Sequence, residues 1–454
     1  MTLGRKIFSD FRAIGAAVEE KAELASSTFL PQFWGEDKQW GMNAEAWLEN
    51  HDKICDIAGP PYDMRNYRRL LLISVIRDGD MLTALVKSEN GYPYIQCIPA
   101  HRIGSSLDAE VVVGGEFDGA RIVDGVICDG VGRAIAYRVT TGDNPFDYSQ
   151  YVDISARDAF LSFIPRFVGQ VRGSSELGMI AFDAQDVHET DKLQRIGQKV
   201  TASISLIEKN ELGEAPAPGD LGMPVTTAAT SSGELATEKI SSDGVTMRYF
   251  KSGDPNAGLQ VLTNDNPSQN AQSYRQSVVR DIFSGLGWSV DFALDPTKIG
   301  GASARFMIER INRSLASMQD LVLRPACQRI DGYRVASAIK YGALPESKEW
   351  WKWTYQGPAR LTADKKYDSD VDMQEVSAGL TTRRDALAAR GKYKDDVDKE
   401  AEADAEAKWA AAKRISDKFD VDIVAAYNSL WSKLPNGVSE APDAGNDNPS
   451  PTDE

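Results

Sequence analysis

Between Ser268 and Gly342 the chain reads as helix, glycine-bearing loop, long helix, and the rest of the fold must be built around that unit. Tyr274, Val278, Val279, Ile282, Phe283 and Leu286 recur at the spacing that gathers them on one helical face. Gly287 follows, a residue type suited to ending a helix. Trp288 to Ser303 reads as a loop, which Gly300 and Gly301 allow to bend at little steric cost. A second helix is expected from about Ser303, with Ala304, Ile308, Ile311, Leu315, Met318 and Val322 stepping by four and three. That seam is long enough that one subunit is not expected to bury it alone, so it should contribute to packing between subunits. Pro325 lacks an amide proton and crowds the carbonyl one turn back, so a kink or break is expected near Leu321. From Ser303 to Lys340 the helix carries Arg305, Arg310, Arg313, Arg324, Arg329, Arg334 and Lys340 against Glu309, Asp320 and Asp331. Such a positive helix can face nucleic acid, or pair with acidic residues of adjacent subunits. The second reading is preferred, because the whole chain of 454 residues has a net charge of −16. That balance argues against a protein that grips DNA by neutralising phosphates, though not against one that DNA slides past.

The remainder, in order, reads as follows. Gly4 to Ala25 predicts an amphipathic helix with Ile7, Phe11, Ile14 and Val18 on one face, and Glu19, Glu20 and Glu23 argue against a membrane role. Ser27 to Met42 is irregular, and Ala44 to Ile57 predicts a helix stopped by Gly59-Pro60-Pro61. Strands are expected at Met81–Val86, Tyr94–Ile98 and Ala134–Val139. Gly114-Gly115, Asp124-Gly125 and Asp129-Gly130 mark turns between them, giving a mixed α+β region to about residue 165. Arg77-Asp-Gly-Asp80 is read as a turn before a strand rather than as a carboxylate pair for a metal. Ser174 or Ser175 is expected to cap a helix running to about Glu208, with a seam at Leu177, Ile180, Ala184, Val187, Leu193, Ile196, Val200 and Ile204. Gly213 to Pro267 has the composition of a flexible insertion, with strand-like pieces at Val245–Phe250 and Leu259–Leu262. Trp350, Trp351 and Trp353 suggest packing beside Gly357-Pro358. Short helices are expected at Asp372–Gly379 and Thr382–Gly391. A charged helix anchored by Trp409 follows over Asp395–Lys418, and Asn436–Glu454 reads as a disordered acidic tail.

No catalytic constellation stands out. His51, His101 and His188 are far apart in sequence, and no metal-binding histidine pair, nucleophile elbow, P-loop or dinucleotide fingerprint is present. Cys55, Cys97, Cys128 and Cys327 show no paired spacing, so neither a zinc site nor a disulfide frame is suggested. The longest largely apolar run, Leu70 to Ile76, is too short to span a bilayer. The N-terminus shows no signal-peptide pattern. An enzyme is therefore not expected, and no cofactor, metal or catalytic residue is assigned.

Three stretches together resemble the portal proteins of tailed bacteriophages, lambda-type branch. They are Tyr274-Arg-Gln-Ser-Val-Val-Arg-Asp-Ile-Phe-Ser-Gly-Leu-Gly287 with Ser303-Ala-Arg305 after the loop; Val168-Gly-Gln-Val-Arg-Gly-Ser-Ser-Glu-Leu177; and Ala378-Gly-Leu-Thr-Thr-Arg383 with Ala389-Arg-Gly391. The resemblance runs from about Trp47 to about Glu406. It implies an α+β portal fold: a mixed α/β wing over 1–170, stem helices over 171–209 and 268–287, and a small α/β clip over 210–267. A tunnel loop over 288–303, a kinked long helix with a return strand over 304–365 and a helical C-terminal crown over 366–435 complete it, followed by the tail over 436–454. It further implies a homo-oligomeric ring of about twelve copies at one capsid vertex, assembled in the host cytoplasm and carried in the virion. Double-stranded DNA would pass through its channel. The terminase large subunit and the head–tail connector would dock on the clip, and the major capsid and scaffold proteins would be neighbours. Thr297, Lys298, Gly300 and Gly301 would face DNA from the tunnel loop, and Arg305, Ile308, Ile311 and Leu315 would lie at the subunit interface.

The chain departs from the family pattern in a short region before Trp47 and in Gly300-Gly-Ala-Ser303 at the loop exit, so a looser loop is expected. Lys298 is the sole basic residue between Trp288 and Ser303, with Asp291 and Asp295 before it. It can serve transient phosphate contact, point into solvent, or pair with Asp295. Two other classes remain open: a phage head scaffolding or interaction protein without a channel, and a divergent hydrolase using acidic residues.

Overall fold

A computed structural model describes residues 2–105, 110–142, 144, 147, 149–203, 225–226, 237–242, 245–250, 269–294, 301–362 and 365–430. The chain divides into two compact units, Met1–Asp368 and Ser369–Glu454.

In the first unit, the single helix expected over Gly4–Ala25 is two: α1 (Thr2–Asp10) and α2 (Arg12–Ser26). Phe11 leaves helical backbone at φ −98° and ψ 86°. The two helices close so tightly that a Cβ on Gly15 would stand 2.6 Å from the Phe8 carbonyl oxygen. Ile7, Ile14 and Val18 are buried, as the apolar spacing requires. The stretch read as irregular holds β1 (Leu30–Phe33) and the start of α3 (Lys38–Asp52). The Asp37 carboxylate accepts from the Trp40 amide at 2.9 Å, and this cap draws the helix start forward of Ala44. Then comes α4 (Met64–Asp78), whose Asp63 cap accepts from the Asn66 amide and which ends at Gly79 with φ +101°.

Seven strands follow in two antiparallel sheets. β2 (Asp80–Lys87) lies between β3 (Pro93–Pro99) and β8 (Ala159–Phe163). β4 (Arg121–Val123), β5 (Val126–Cys128), β6 (Ala134–Thr140) and β7 (Tyr151–Ser155) form a meander. Asp124 and Gly125, at φ +48° and +80°, make the tight β4–β5 turn that the Asp-Gly pair predicts. Arg77-Asp-Gly-Asp80 is a helix end and strand start.

Ser175 caps α5 (Glu176–Met179), accepting from the Gly178 amide at 3.0 Å, and α6 (Ala181–Ser203) continues from it. β9 (Val225–Thr226), β10 (Thr237–Ser242) and β11 (Val245–Phe250) form a small antiparallel sheet with β10 central, within the stretch read as an insertion. Next is α7 (Gln269–Gly285), terminated as expected by Gly287 at φ +62°, where the Trp288 amide donates to the Phe283 carbonyl at 3.0 Å. The stretch read wholly as loop contains α8 (Val290–Leu294).

The long helix runs from Gly301 to Tyr341 as α9 (Gly301–Met318), a π-turn (Gln319–Leu323) and α10 (Arg324–Tyr341). Pro325 cannot donate to the Leu321 carbonyl, and the helix adapts there through the wide π-turn, in which the Arg324 amide donates to the Gln319 carbonyl, without breaking. Gly342, at φ +86°, caps it. β12 (Trp353–Gln356) returns antiparallel to β1, burying Trp353 against Phe33 and Trp40.

A single apolar core joins α2, α3, α4, the base of α6 and α7, and the long helix. In the second unit lie α12 (Arg383–Ala389), α13 (Lys394–Phe419) and α14 (Ile423–Leu430), preceded by α11 (Lys365–Ser377), which spans the boundary. The Thr382 hydroxyl accepts from the Asp385 amide, and Trp409 packs on Tyr427 at 4.8 Å between centroids. Leu259–Leu262 and the acidic tail lie outside the described residues.

Candidate functional site

Helices α6 and α7 form an antiparallel hairpin. Near its far end Asp191 accepts two hydrogen bonds from the Arg275 guanidinium, at 2.6 and 2.7 Å. At its base a Cβ on Gly285 would meet the Ile180 side chain at 2.7 Å. Ile180 just before α6, Ala184 and Val187 of α6, and Ile282 and Phe283 of α7 are buried. The seam expected along α6 is not buried at Leu193 and Ile196, and the side chains of Val200 and Ile204 lie outside the described residues. Leu193 is 68% exposed, and Ile196 is exposed with it. The physical reason is the helix itself: Phe182, Asp186, Glu189, Leu193 and Ile196 are spaced by four and three, so they share the face opposite Ala184. Phe182 on this face is 76% exposed, and Tyr274 of α7 is 74% exposed.

The hairpin is fastened to the body at three points. Lys21 of α2 is buried, donates from Nζ to the Leu286 carbonyl at 2.7 Å and lies 3.5 Å from Glu176 Oε2. One ammonium therefore meets the C-terminal end of α7, where the helix dipole favours a cation, and the Glu176 carboxylate in the first turn of α5. Trp288, also buried, packs edge-on against Phe292 of α8. Arg172 donates to both oxygens of the fully buried Asp80 at 2.7 and 3.0 Å, and to the carbonyls of Ala100, Ile103 and Asp124. Beside it, a Cβ on Gly173 would stand 1.9 Å from the Gly79 carbonyl oxygen, so the two backbones touch only because both positions are glycine. The Arg-Gly-Ser-Ser run noted in the sequence is thus the joint between sheet and hairpin.

The sequence-assigned residues divide. Thr297, Lys298 and Gly300 lie outside the described residues, and Gly301 opens α9. Arg305 is exposed and Ile308 half-buried, whereas Ile311 and Leu315 are buried inside the chain's own core. The argument that one subunit could not bury this seam fails from Ile311 onward, because α2 packs on the long helix and Ile311, Leu315, Met318 and Val322 all join the chain's own apolar core. The positive charge of the helix is also largely answered within the chain. Arg313 pairs with Glu309 and Arg324 with Asp320, while Arg329 donates to the Ala156 and Ala159 carbonyls.

Arg334, only 1% exposed, heads a buried network that sequence reading missed. Its guanidinium donates to His51 Nδ1 at 2.9 Å, Asp331 Oδ1 at 2.8 Å, Asp52 Oδ1 at 2.6 Å and the Leu48 carbonyl at 3.0 Å. The Tyr355 hydroxyl donates to the other Asp331 oxygen. His51 Nδ1 must accept, so Nε2 carries the proton and donates to the Pro93 carbonyl at 2.9 Å. Burial first, and the Arg334 charge second, lower the imidazole to about 3. The network ties α3, α10, β3 and β12 together. Its signal in the sequence was a charged pair three apart, Asp331 and Arg334, on the inward face of a helix. Among the described residues no group of three or more histidine, cysteine or acidic side chains could hold a metal ion.

A family model described as phage portal protein, lambda family, matches residues 22–319. No curated protein matches. Among solved structures the chain is similar to one titled the virion of a native gene transfer agent (GTA) particle, with TM-score 0.47 and 12% identity, covering 85% of this chain and 92% of that one. The neck of a native GTA particle computed with C12 symmetry gives TM-score 0.45, 14% identity and coverage of 86% and 92%. The neck of an empty GTA particle computed with C6 symmetry gives 0.44, 12%, 82% and 86%.

Proposed function

The chain belongs to the lambda family of phage portal proteins, and we propose that it is one subunit of a closed ring at a capsid vertex, through which double-stranded DNA passes during packaging and ejection. The observation that carries the ring is the α6–α7 hairpin: it stands on the core at its base, yet Phe182, Leu193 and Tyr274 are exposed along its length. Identical copies arranged head to tail about one axis would cover such a surface and close on themselves. In this reading the hairpin is the stem, the sheet of β9, β10 and β11 belongs to the clip that docks the terminase and then the connector, and residues 288–303 reach the channel. The net charge of −16 suits a channel that must not trap DNA, because an acidic wall repels phosphate.

The DNA part of the proposal rests on Lys298, which would repeat once per subunit around the channel. An ammonium is a compact, hydrated charge suited to transient phosphate contact rather than to reading sequence. Rings carrying Lys298→Ala should assemble but package or retain less DNA, and Lys298→Glu should be worse. The wild-type advantage should shrink with salt, as the Debye length falls to about 3 Å at 1 M. Packaging and retention by Lys298→Glu equal to wild type would remove the electrostatic role. For docking, replacing residues 213–267 by a short Gly-Ser linker should abolish terminase capture in a pull-down while the body stays folded; retained capture would move the docking site elsewhere.

A further inference from the structure

The outward faces of the two hairpin helices match each other in register. On α6, Phe182, Asp186, Glu189 and Leu193 step by four, three and four; on α7, Ser273, Ser277, Arg280 and Ser284 step identically and are exposed. The Asp191–Arg275 pair sets the common level of the two helices. Because they run antiparallel with the same rise per residue, Arg280, five residues after Arg275, stands level with Asp186, five before Asp191. By the same count Ser284 is level with Phe182 and Ser273 with Leu193. The close approach of Gly285 to Ile180 at the base agrees with that count.

Within one chain these two faces point away from each other. In a ring about an axis running along the hairpin, rotation leaves every level unchanged, and each contact joins two different faces. We infer that the outward face of α6 in one copy packs on the outward face of α7 in the next, with Asp186 paired to Arg280 and with Phe182 and Leu193 seated over Ser284 and Ser273. The inference rests on the ring reading above and names the surface that closes it. Large side chains meet small ones, and a carboxylate meets a guanidinium. Among the described residues Arg280 has only a long contact, 3.7 Å to Asp291, and its side chain is 67% exposed. An α6 face meeting another α6 face would set Asp186 and Glu189 against their own copies, which like-charge repulsion opposes.

The test uses the full-length chain and measures the assembled fraction by size. Asp186→Arg and Arg280→Asp should each weaken assembly about tenfold or more, and the double exchange should recover most of it. The Asp291→Asn variant should assemble as wild type. Independently, Leu193→Cys with Ser273→Cys should give, on oxidation of assembled rings, a ladder of covalently joined subunits on a non-reducing gel, whereas each cysteine alone should give none. Both positions are exposed, so these variants leave the core untouched. Rings that tolerate both charge reversals, or that give no ladder, would overturn this interface while leaving the ring itself standing. A wild-type chain that forms no ring would overturn the ring reading and this inference with it.

Discussion

Lowering the pH from 7.5 to 5 should cost the fold about 2 kcal/mol through His51 alone. Its imidazole is held neutral: Nδ1 accepts from the Arg334 guanidinium, Nε2 donates to the Pro93 carbonyl, and Trp47 and Tyr92 pack on the ring at 4.8 and 5.2 Å. Its folded-state value is lowered to about 3 from the ordinary 6.5. A lowered imidazole means that the unfolded chain takes the proton first as pH falls. The stabilisation is therefore complete above about 6.5 and is lost progressively toward about 3. At pH 5 the unfolded group is about 1.5 pH units past its midpoint while the folded one is still neutral, and 1.36 kcal/mol per unit gives the figure of about 2. The assay is urea unfolding of wild type and His51→Gln at both pH values. The loss between pH 7.5 and 5 should be about 2 kcal/mol larger for wild type than for the variant, which cannot titrate there. Arg334 stays charged throughout. Burial raises the Asp331 carboxyl, whose contribution has the opposite sign, and it is present in both proteins, so their comparison isolates the histidine. Equal pH dependence in the two, or a wild type that gains stability at pH 5, would refute the reasoning.

Two further outcomes follow from the joint between hairpin and body, and a third from the buried seam of α9. Gly173→Ala places a methyl 1.9 Å from the Gly79 carbonyl oxygen and should cost about 1–3 kcal/mol in a thermal melt; an unchanged Tm would mean that the two backbones part freely. Lys21→Met removes the ammonium from the Leu286 carbonyl and from Glu176 and should cost about 3 kcal/mol by denaturant unfolding, an expectation that wild-type stability would contradict. Ile311→Asp should give unfolded chain by circular dichroism, since Ile311 is buried within its own core; well-folded monomers would instead return this residue to the subunit interface.

Local rules carried much of the fold. Helix ends at Gly287 and Gly342, the Ser175 and Thr382 caps, the Asp124-Gly125 turn and the disturbance before Pro325 all follow from neighbouring residues, and the sequence pattern locates them. Where it misled, long-range contact decided. Phe11 breaks the first helix with no proline to announce it, and the close approach of Gly15 to the Phe8 carbonyl oxygen across the break could not be read from periodicity. Periodicity could mark Ile311 and Leu315 as apolar but could not say whether their partners were in the same chain. The charges of the long helix looked like a surface until Arg334 proved to sit in the core and three of its neighbours found partners nearby. Lys21 carried no signal at all: a lysine in an acidic amphipathic helix reads as solvated, and only the fold brings it to the end of α7. The matching four-three-four steps on α6 and α7 were present in the sequence, but without the Asp191–Arg275 level they could not be aligned.

The most direct measurement is electron microscopy of the purified full-length chain, with its mass determined in the same buffer at micromolar concentration. The account predicts closed rings of about a dozen copies with an open axis and the α6–α7 hairpins running along it. Monomers at that concentration, with no ring in any field, would contradict it.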